Sequence, residues 1–176
     1  MHETIWSDAM FKPLSSTLVQ LYERHGVEVL SSVAPLVWVT LATHKDKPPV
    51  EPPNDRLFTY LYVDDRMVSN GGGLHMTEVY LLECLATVLS PERIFIIGNA
   101  YGWSTLGLAL AFPKAKVVAV DDGRAFGSRA GIDWTNRTAK TEGLDVTVVS
   151  GSSPCDVGRI VRVRLSPARC RQLRHG

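Results

Sequence analysis

The stretch Arg93–Pro113, RIFIIGNAYGWSTLGLALAFP, decides the fold. The apolar run RIFII that opens it predicts a strand covered on both faces, and the apolar STLGLALAF that ends before Pro113 predicts a helix. Between them stand Gly98, Ala100 and Gly102, three small residues at alternate positions. A strand that turns directly into a helix in this way predicts an α/β unit with parallel strands.

The next fifty residues repeat this alternation. KVVAVDDG at 116–123 predicts a second buried strand, FGSRAGIDWTNRTAKTEG at 126–143 a helix, and LDVTVVSG at 144–151 a third strand. Right-handed crossovers place the first strand beside the second and the second beside the third. The predicted fold class is therefore α/β, a partial Rossmann-like, doubly wound parallel sheet of three strands.

The region before the parallel sheet is predicted to be mixed α/β. Residues 15–26 have helical periodicity, with an initial serine as the expected cap, and 75–92 form a second helical segment stopped by its proline. Residues 34–42 suit either a strand or a buried helix. The four prolines of 44–56 predict a surface loop, and 57–73 a β-rich stretch with a turn at its Asp-Asp pair.

Composition divides the chain into three parts. The 176 residues are 45% hydrophobic, which is ample for a buried core. Up to Asp156 there are 13 Lys/Arg and 18 Asp/Glu, whereas 157–176 contain six arginines and no acid. We therefore assign 1–69 as an N-terminal extension, 70–157 as the Rossmann-like unit and 158–176 as a basic tail.

The cysteine content, the apolar runs and the first residues of the sequence also exclude several classes of protein. The three cysteines are too widely spaced for a disulfide framework or a zinc knuckle, so we expect no metal site. Apolar runs break within about ten residues, too short to cross a membrane. The first residues lack the layout of a secretory signal. We expect a cytoplasmic protein.

The glycine-bearing turn is suited to binding a ligand. Backbone N–H groups at a helix start are unpaired and lie at the positive end of the helix dipole. Small residues let a ligand approach them, and Ser104 and Thr105 can cap the helix or bond the ligand. Asp121 ends the next strand, 23 residues after Gly98, where a carboxylate can accept hydrogen bonds from ribose hydroxyls.

Each of these residues also has a purely structural interpretation. The glycines can serve a tight turn with nothing bound, and Asp121 can cap a helix. Trp103 beside the turn is more typical of packing than of ligand contact. His75 is more typical of a helix cap than of a catalytic residue, and Cys155 carries no sign of activation.

Four motifs in order resemble class I S-adenosylmethionine-dependent methyltransferases, particularly the O-methyltransferase-like branch. They are NGGGLHMTE, IGNAYGWST, VVAVDDG and SGSSPCDV, which together cover roughly Asn70–Val157. The series G-x-A-x-G-x-S-T departs from the dinucleotide pattern G-x-G-x-x-G. Two positions depart from this family as well: Ile97 and Ser152 stand where it often has an acid.

The resemblance implies S-adenosyl-L-methionine as cofactor and methyl transfer to an acceptor, most simply a small molecule. The turn would line the methionine and ribose parts, Asp121 would hold the ribose with Asp122 as a substitute, and Gly151-Ser152 would lie beside the adenine. It identifies no catalytic residue. The implied cofactor-binding residues are Gly98, Asn99, Ala100, Tyr101, Gly102, Ser104, Thr105, Asp121, Asp122, Gly151 and Ser152.

The C-terminal half of the family's fold is not recognisable after the third strand. PCDVGRIVRVRL at 154–165 suits either a helix or a strand, and the basic end that follows suggests a shortened or frame-altered carboxyl end. In the family the next strand lies beside the first, so its loss would leave 93–97 at a sheet edge. We therefore expect a homo-oligomer formed through this edge.

Three functions are compatible with these observations. The first is a methyltransferase-like protein, weakly active or inactive because of its length. The second is a non-catalytic Rossmann-like module for assembly or regulation. The third is an RNA-binding methyltransferase fragment whose arginine tail contacts phosphates, which the acidic body of the chain does not favour.

Overall fold

The structure is a computed structural model that describes residues 12–34, 37–40, 59–70, 73–153 and 156. Its elements, in chain order, are α1 (Leu14–Arg24), β1 (Glu28–Ala34), β2 (Val37–Thr40), β3 (Thr59–Val63), β4 (Arg66–Asn70), α2 (Met76–Ala86), β5 (Arg93–Ile97), α3 (Trp103–Ala111), β6 (Lys116–Asp121), α4 (Ser128–Thr141) and β7 (Val146–Ser150). The predicted loop at 44–56, the undecided segment 154–165 and the basic tail lie almost entirely outside the described residues.

The second half of the chain forms a parallel sheet with the strand order β5-β6-β7. Ile97 of β5 lies opposite Val120 of β6, and Asp121 lies opposite Ser150 of β7. The predicted α/β class and the predicted neighbours of each strand are confirmed. Because both crossovers lead in the same direction along the sheet, right-handedness places α3 and α4 on the same face.

The central strand β6 is buried on both faces, and the edge strand β5 is not. Val117, Val118 and Ala119 of β6 are fully buried. Ile97 at the end of β5, in contrast, is 63% exposed. The three middle residues of β5 are only half-buried and both of its end residues are exposed, so the prediction that RIFII is covered on both faces is wrong. Among the described residues β5 pairs only with β6. Pairing of this edge with a second copy of the chain stays a prediction.

The N-terminal half contributes a four-stranded antiparallel sheet with the order β2-β1-β3-β4. The predicted turn between β3 and β4 is confirmed: Asp64 and Asp65 both have positive φ, at 47° and 64°, as a two-residue hairpin turn requires. The undecided segment 34–42 contains a strand, β2. Strand β1 escapes sequence analysis because the pair Ser31-Ser32 interrupts its apolar pattern.

Helix α1 packs its apolar face into the main core. Leu18, Leu21 and Tyr22 are fully buried, as its periodicity predicts. The expected serine cap is wrong: Pro13 precedes the first helical residue and no side chain caps the helix. The core that α1 joins also contains Trp103 of α3, so the two halves of the chain share it.

Helix α2 is shorter than predicted. It ends at Ala86, five residues before the proline expected to stop it. The hydroxyl of Thr87 donates to the carbonyl of Cys84 at 2.7 Å, and a threonine that bonds its own backbone competes with helix continuation. Leu89, which the predicted helical segment 75–92 includes, lies beyond the helix and is 49% exposed.

Gly131 provides a direct test of how closely α4 packs on the rest of the fold. A Cβ at this helical position would overlap the backbone carbonyl of Ala100. Alanine raises helix propensity by about 1 kcal/mol. We nevertheless expect Gly131→Ala to lower the free energy of unfolding by about 2 kcal/mol, because overpacking against backbone cannot relax cheaply. Urea denaturation followed by circular dichroism measures this change in the free energy of unfolding.

The matched control is Gly107→Ala in α3, also a glycine inside a helix. Its Cβ would meet only the end of the flexible Leu18 side chain, at 3.3 Å. We expect this variant to change the free energy of unfolding by less than about 1 kcal/mol. Equal destabilisation by the two substitutions would contradict the packing described here.

Candidate functional site

The turn after β5 lies at the carboxyl edge of the parallel sheet. The backbone conformation explains why three small residues stand in this turn. Gly98, Ala100 and Gly102 all have positive φ, at 88°, 45° and 81°. Left-handed backbone is free of cost for glycine and costs roughly 1 kcal/mol for alanine. The alternation of small residues is therefore explained first by the path of the chain.

The two glycines of the turn have different surroundings. A Cβ at Gly102 would overlap the hydroxyl of Thr135 on α4, so this position is closed by the protein itself. A Cβ at Gly98 would meet nothing within 4 Å. Room for a ligand to approach the main chain exists at Gly98.

The carboxylate of Asp121 holds the turn in place. One oxygen accepts the backbone N–H groups of Asn99 and Ala100, at 2.7 and 2.8 Å, and the other accepts that of Gly123 at 2.8 Å. Burial of Asp121 raises its pKa, but these three donors, together with the nearby hydroxyl of Ser128, outweigh burial and hold the pKa below its usual value. The buried hydroxyl of Ser128, close to this carboxylate, has no hydrogen bond of normal geometry.

The polar side chains of the turn bond to other groups of the protein. Asn99 is buried, and its amide donates to Thr135 at 3.2 Å and accepts from the hydroxyl of Thr105 at 2.9 Å. Ser104 accepts the backbone N–H of Leu74 at 3.1 Å. The residue that precedes α3 is Gly102 and no side chain caps the helix, so the predicted capping role of Ser104 and Thr105 is wrong.

An aromatic cluster supports the turn from the protein side. The hydroxyl of Tyr22, fully buried, donates to the carbonyl of Tyr101 at 2.9 Å. Its ring contacts Trp103 and Trp134, with centroids 5.1 and 4.8 Å away. Burial, together with the nearby Tyr101, raises the pKa of Tyr22 well above its usual value. Sequence analysis places Tyr22 on a buried face, but nothing local indicates its contact with the turn.

The remaining predicted residues reach the same edge of the sheet. Asp122 has an exposed side chain that accepts the backbone N–H of Arg124 at 3.0 Å. The backbone N–H of Gly151 donates to the carbonyl of Asp121 at 2.9 Å. Ser152 donates its backbone N–H to the carboxylate of Asp156 at 3.0 Å. Contact of Ser152 with adenine stays a prediction.

His75 has a structural position at the start of α2. Its backbone N–H donates to the carboxylate of Glu78 at 2.9 Å, and its ring contacts the hydroxyl of Thr77. Cys155 lies outside the described residues. Within the described ranges there is no group of three or more potential metal ligands, and no helix there has the length and apolarity to cross a membrane.

The buried carboxylate of Asp121 predicts a pH dependence. Because its pKa is lowered on folding, it stabilises the fold above the pKa of the unfolded chain, about 3.9, and this stabilisation is lost as the pH falls through the lower, folded value. We expect Asp121→Asn to cost about 1–3 kcal/mol at pH 7 and less below pH 4, measured by thermal unfolding. An unchanged difference between the two proteins across that window would contradict this assignment.

Solved structures similar to this chain include several methyltransferases. An O-methyltransferase from Bacillus cereus in complex with SAH is 21% identical over 53% of this chain and 42% of its own, with a TM-score of 0.43. A methyltransferase from Geobacter sulfurreducens is 22% identical over 46% of this chain and 39% of its own, with a TM-score of 0.39. The C-terminal domain of precorrin-6Y C5,15-methyltransferase from Rhodobacter capsulatus is 18% identical over 52% of this chain and 47% of its own, with a TM-score of 0.39.

The chain spans less than half the length of each of these three structures. No protein-family model matches the sequence. No curated protein matches it either. These similar structures include O-methyltransferases, the kind of protein that the four motifs resemble.

Proposed function

We propose that this chain is a methyltransferase-like protein that binds S-adenosyl-L-methionine at the turn after β5. The observation that carries the proposal is the open space at Gly98, a left-handed glycine at the carboxyl edge of a parallel sheet. Ligands of such sheets bind outside the carboxyl ends of the strands, where a glycine lets them reach the main chain. The proposal rests on this geometry and on the four motifs.

The residues around Gly98 fit an adenosyl group. The start of α3 supplies the positive end of a helix dipole, and Asp122 supplies an exposed carboxylate at the end of the neighbouring strand. Asp121 uses three of the roughly four acceptor positions of a carboxylate on backbone donors. Asp121 is only 7% exposed and the hydroxyl of Ser128 lies close to it, so Asp122, whose side chain is exposed, supplies the freer acceptor for a ribose hydroxyl.

The cofactor would supply an activated methyl group for transfer to a heteroatom of a small-molecule acceptor. This chain's own contribution would be to hold the sugar and methionine parts against the turn, so that the reacting atoms are close and aligned. We assign no side chain as a base. Turnover by this chain alone is weak or absent under our proposal.

A second candidate is a non-catalytic Rossmann-like module for assembly or regulation. It is favoured by the internal bonds of the turn, because Asn99, Thr105 and Asp121 are all satisfied by protein groups. A turn that is complete without a ligand can serve architecture alone. A measurement of S-adenosylmethionine binding distinguishes the two candidate functions.

Gly98→Ala tests the proposed cofactor site. The new Cβ would occupy the open space through which the ligand reaches the main chain, so we expect at least a tenfold loss of affinity for S-adenosylmethionine, about 1.4 kcal/mol. Isothermal titration calorimetry with S-adenosylmethionine and with its demethylated product measures it. Absence of binding to the unaltered chain at millimolar ligand would favour the non-catalytic candidate.

The control is Gly143→Ala, at the end of α4. Gly143 also has positive φ, at 70°, and its Cβ would also meet nothing within 4 Å. The two variants therefore carry a similar backbone cost of roughly 1 kcal/mol, and only one of them lies at the turn. Equal affinities for the two variants would place the ligand elsewhere.

A further inference from the structure

Three successive carbonyl groups of the turn after β5 are held by hydrogen bonds within the protein. The carbonyl of Asn99 accepts the backbone N–H of Gly102 at 2.7 Å, which closes a β-turn over these four residues. The carbonyl of Ala100 accepts the side-chain amide of Asn99 at 3.0 Å. The carbonyl of Tyr101 accepts the hydroxyl of Tyr22 at 2.9 Å. Of these three bonds, only the last comes from a residue outside the turn.

Tyr22 is fixed in the position from which its hydroxyl reaches the turn. The side chain is fully buried, and burial raises its pKa well above the usual value, so the hydroxyl keeps its proton and can donate it. Its ring contacts Trp103 of α3 and Trp134 of α4. A ring that touches two others in a closely packed core has little freedom to turn away, so the donor is preorganised.

Helix α4 holds both α1 and the turn. Glu142, the residue that follows α4, contacts Arg24 and His25 at the end of α1, each at 2.9 Å. Within α4 itself, the hydroxyl of Thr135 accepts the side-chain amide of Asn99 in the turn at 3.2 Å. The position of α1 relative to the turn is therefore fixed by contacts with a common element.

We propose that Tyr22 is a positioning residue of the candidate cofactor site, so that α1 belongs to this site although the sequence assigns it to an N-terminal extension. This inference rests on the proposed function of the turn. Without the hydroxyl, the buried carbonyl of Tyr101 would lose its partner, which is costly. The turn would then populate other backbone conformations, which the glycine at position 102 permits. The apparent affinity for the cofactor falls with the fraction of molecules that keep the binding-competent turn.

Tyr22→Phe tests this role, because it removes the hydroxyl and retains the ring that contacts Trp103 and Trp134. We expect about a tenfold loss of affinity for S-adenosylmethionine in isothermal titration calorimetry, as when a tenth of the molecules keep the competent turn. The control is Val29→Ala, at a buried position of β1 in the antiparallel sheet. It lowers the free energy of unfolding as well, but it should leave the affinity unchanged at a temperature where both variants are folded.

Hydrogen exchange followed by nuclear magnetic resonance provides a second readout, which needs no ligand. The amide of Gly102, whose bond to Asn99 closes the turn, should exchange about tenfold faster in Tyr22→Phe than in Val29→Ala. Only the first variant loosens the turn locally. The amide of Val118, in the buried central strand β6, corrects for any difference in global stability between the variants.

Two results of the calorimetry would overturn the inference. One is equal affinity of Tyr22→Phe and the unaltered chain, and the other is an equal loss in Val29→Ala, which would indicate a general effect of stability. If the unaltered chain binds no S-adenosylmethionine, the proposed function fails, and the exchange of Gly102 decides the role of Tyr22 by itself. Faster exchange in Tyr22→Phe would support that role, whereas the same rate in both variants would rule it out.

Discussion

Two hydrogen bonds, from the backbone of Asn99 and Ala100 to one carboxylate oxygen of Asp121, join the turn after β5 to the end of β6. The turn needs them because Ala100 is held in left-handed backbone, which costs roughly 1 kcal/mol for a residue with a Cβ. Hydrogen bonds to a charged group contribute about 1.5–3 kcal/mol each and outweigh that cost. The direction in which α3 leaves the turn follows from this arrangement.

The rest of the fold packs closely against much of the turn. Thr135 closes the space beside Gly102, the carbonyl of Ala100 lies where a side chain at Gly131 would be, and Tyr22 bonds the carbonyl of Tyr101. Substitutions at these contacts therefore change stability before they change any ligand contact. Of the two glycines of the turn, only Gly98 faces open space, so under our proposal recognition of a ligand depends on that side.

The elements that sequence analysis predicts correctly are those whose signal is local. The strand β6 is an uninterrupted apolar run, and the Asp64-Asp65 turn is set by two adjacent residues. The roles that it misses depend on partners far along the chain. The hydroxyl of Ser104 bonds the backbone of Leu74, 30 residues away, and Tyr22 bonds Tyr101, 79 residues away. No spacing rule predicts either contact, because both depend on how separate elements pack.

The double role of Asp121 determines which residue reports on function. Its position at the end of β6 suits a ribose contact, as the motif predicts, yet its carboxylate also fixes the backbone of the turn. Loss of ligand binding on altering Asp121 would therefore have two possible causes, a lost contact or a displaced turn. At Gly98 the structural constraint is the positive φ, which Gly143 shares, and its surroundings are open. Whether the turn binds a ligand is therefore best tested by substitution at Gly98.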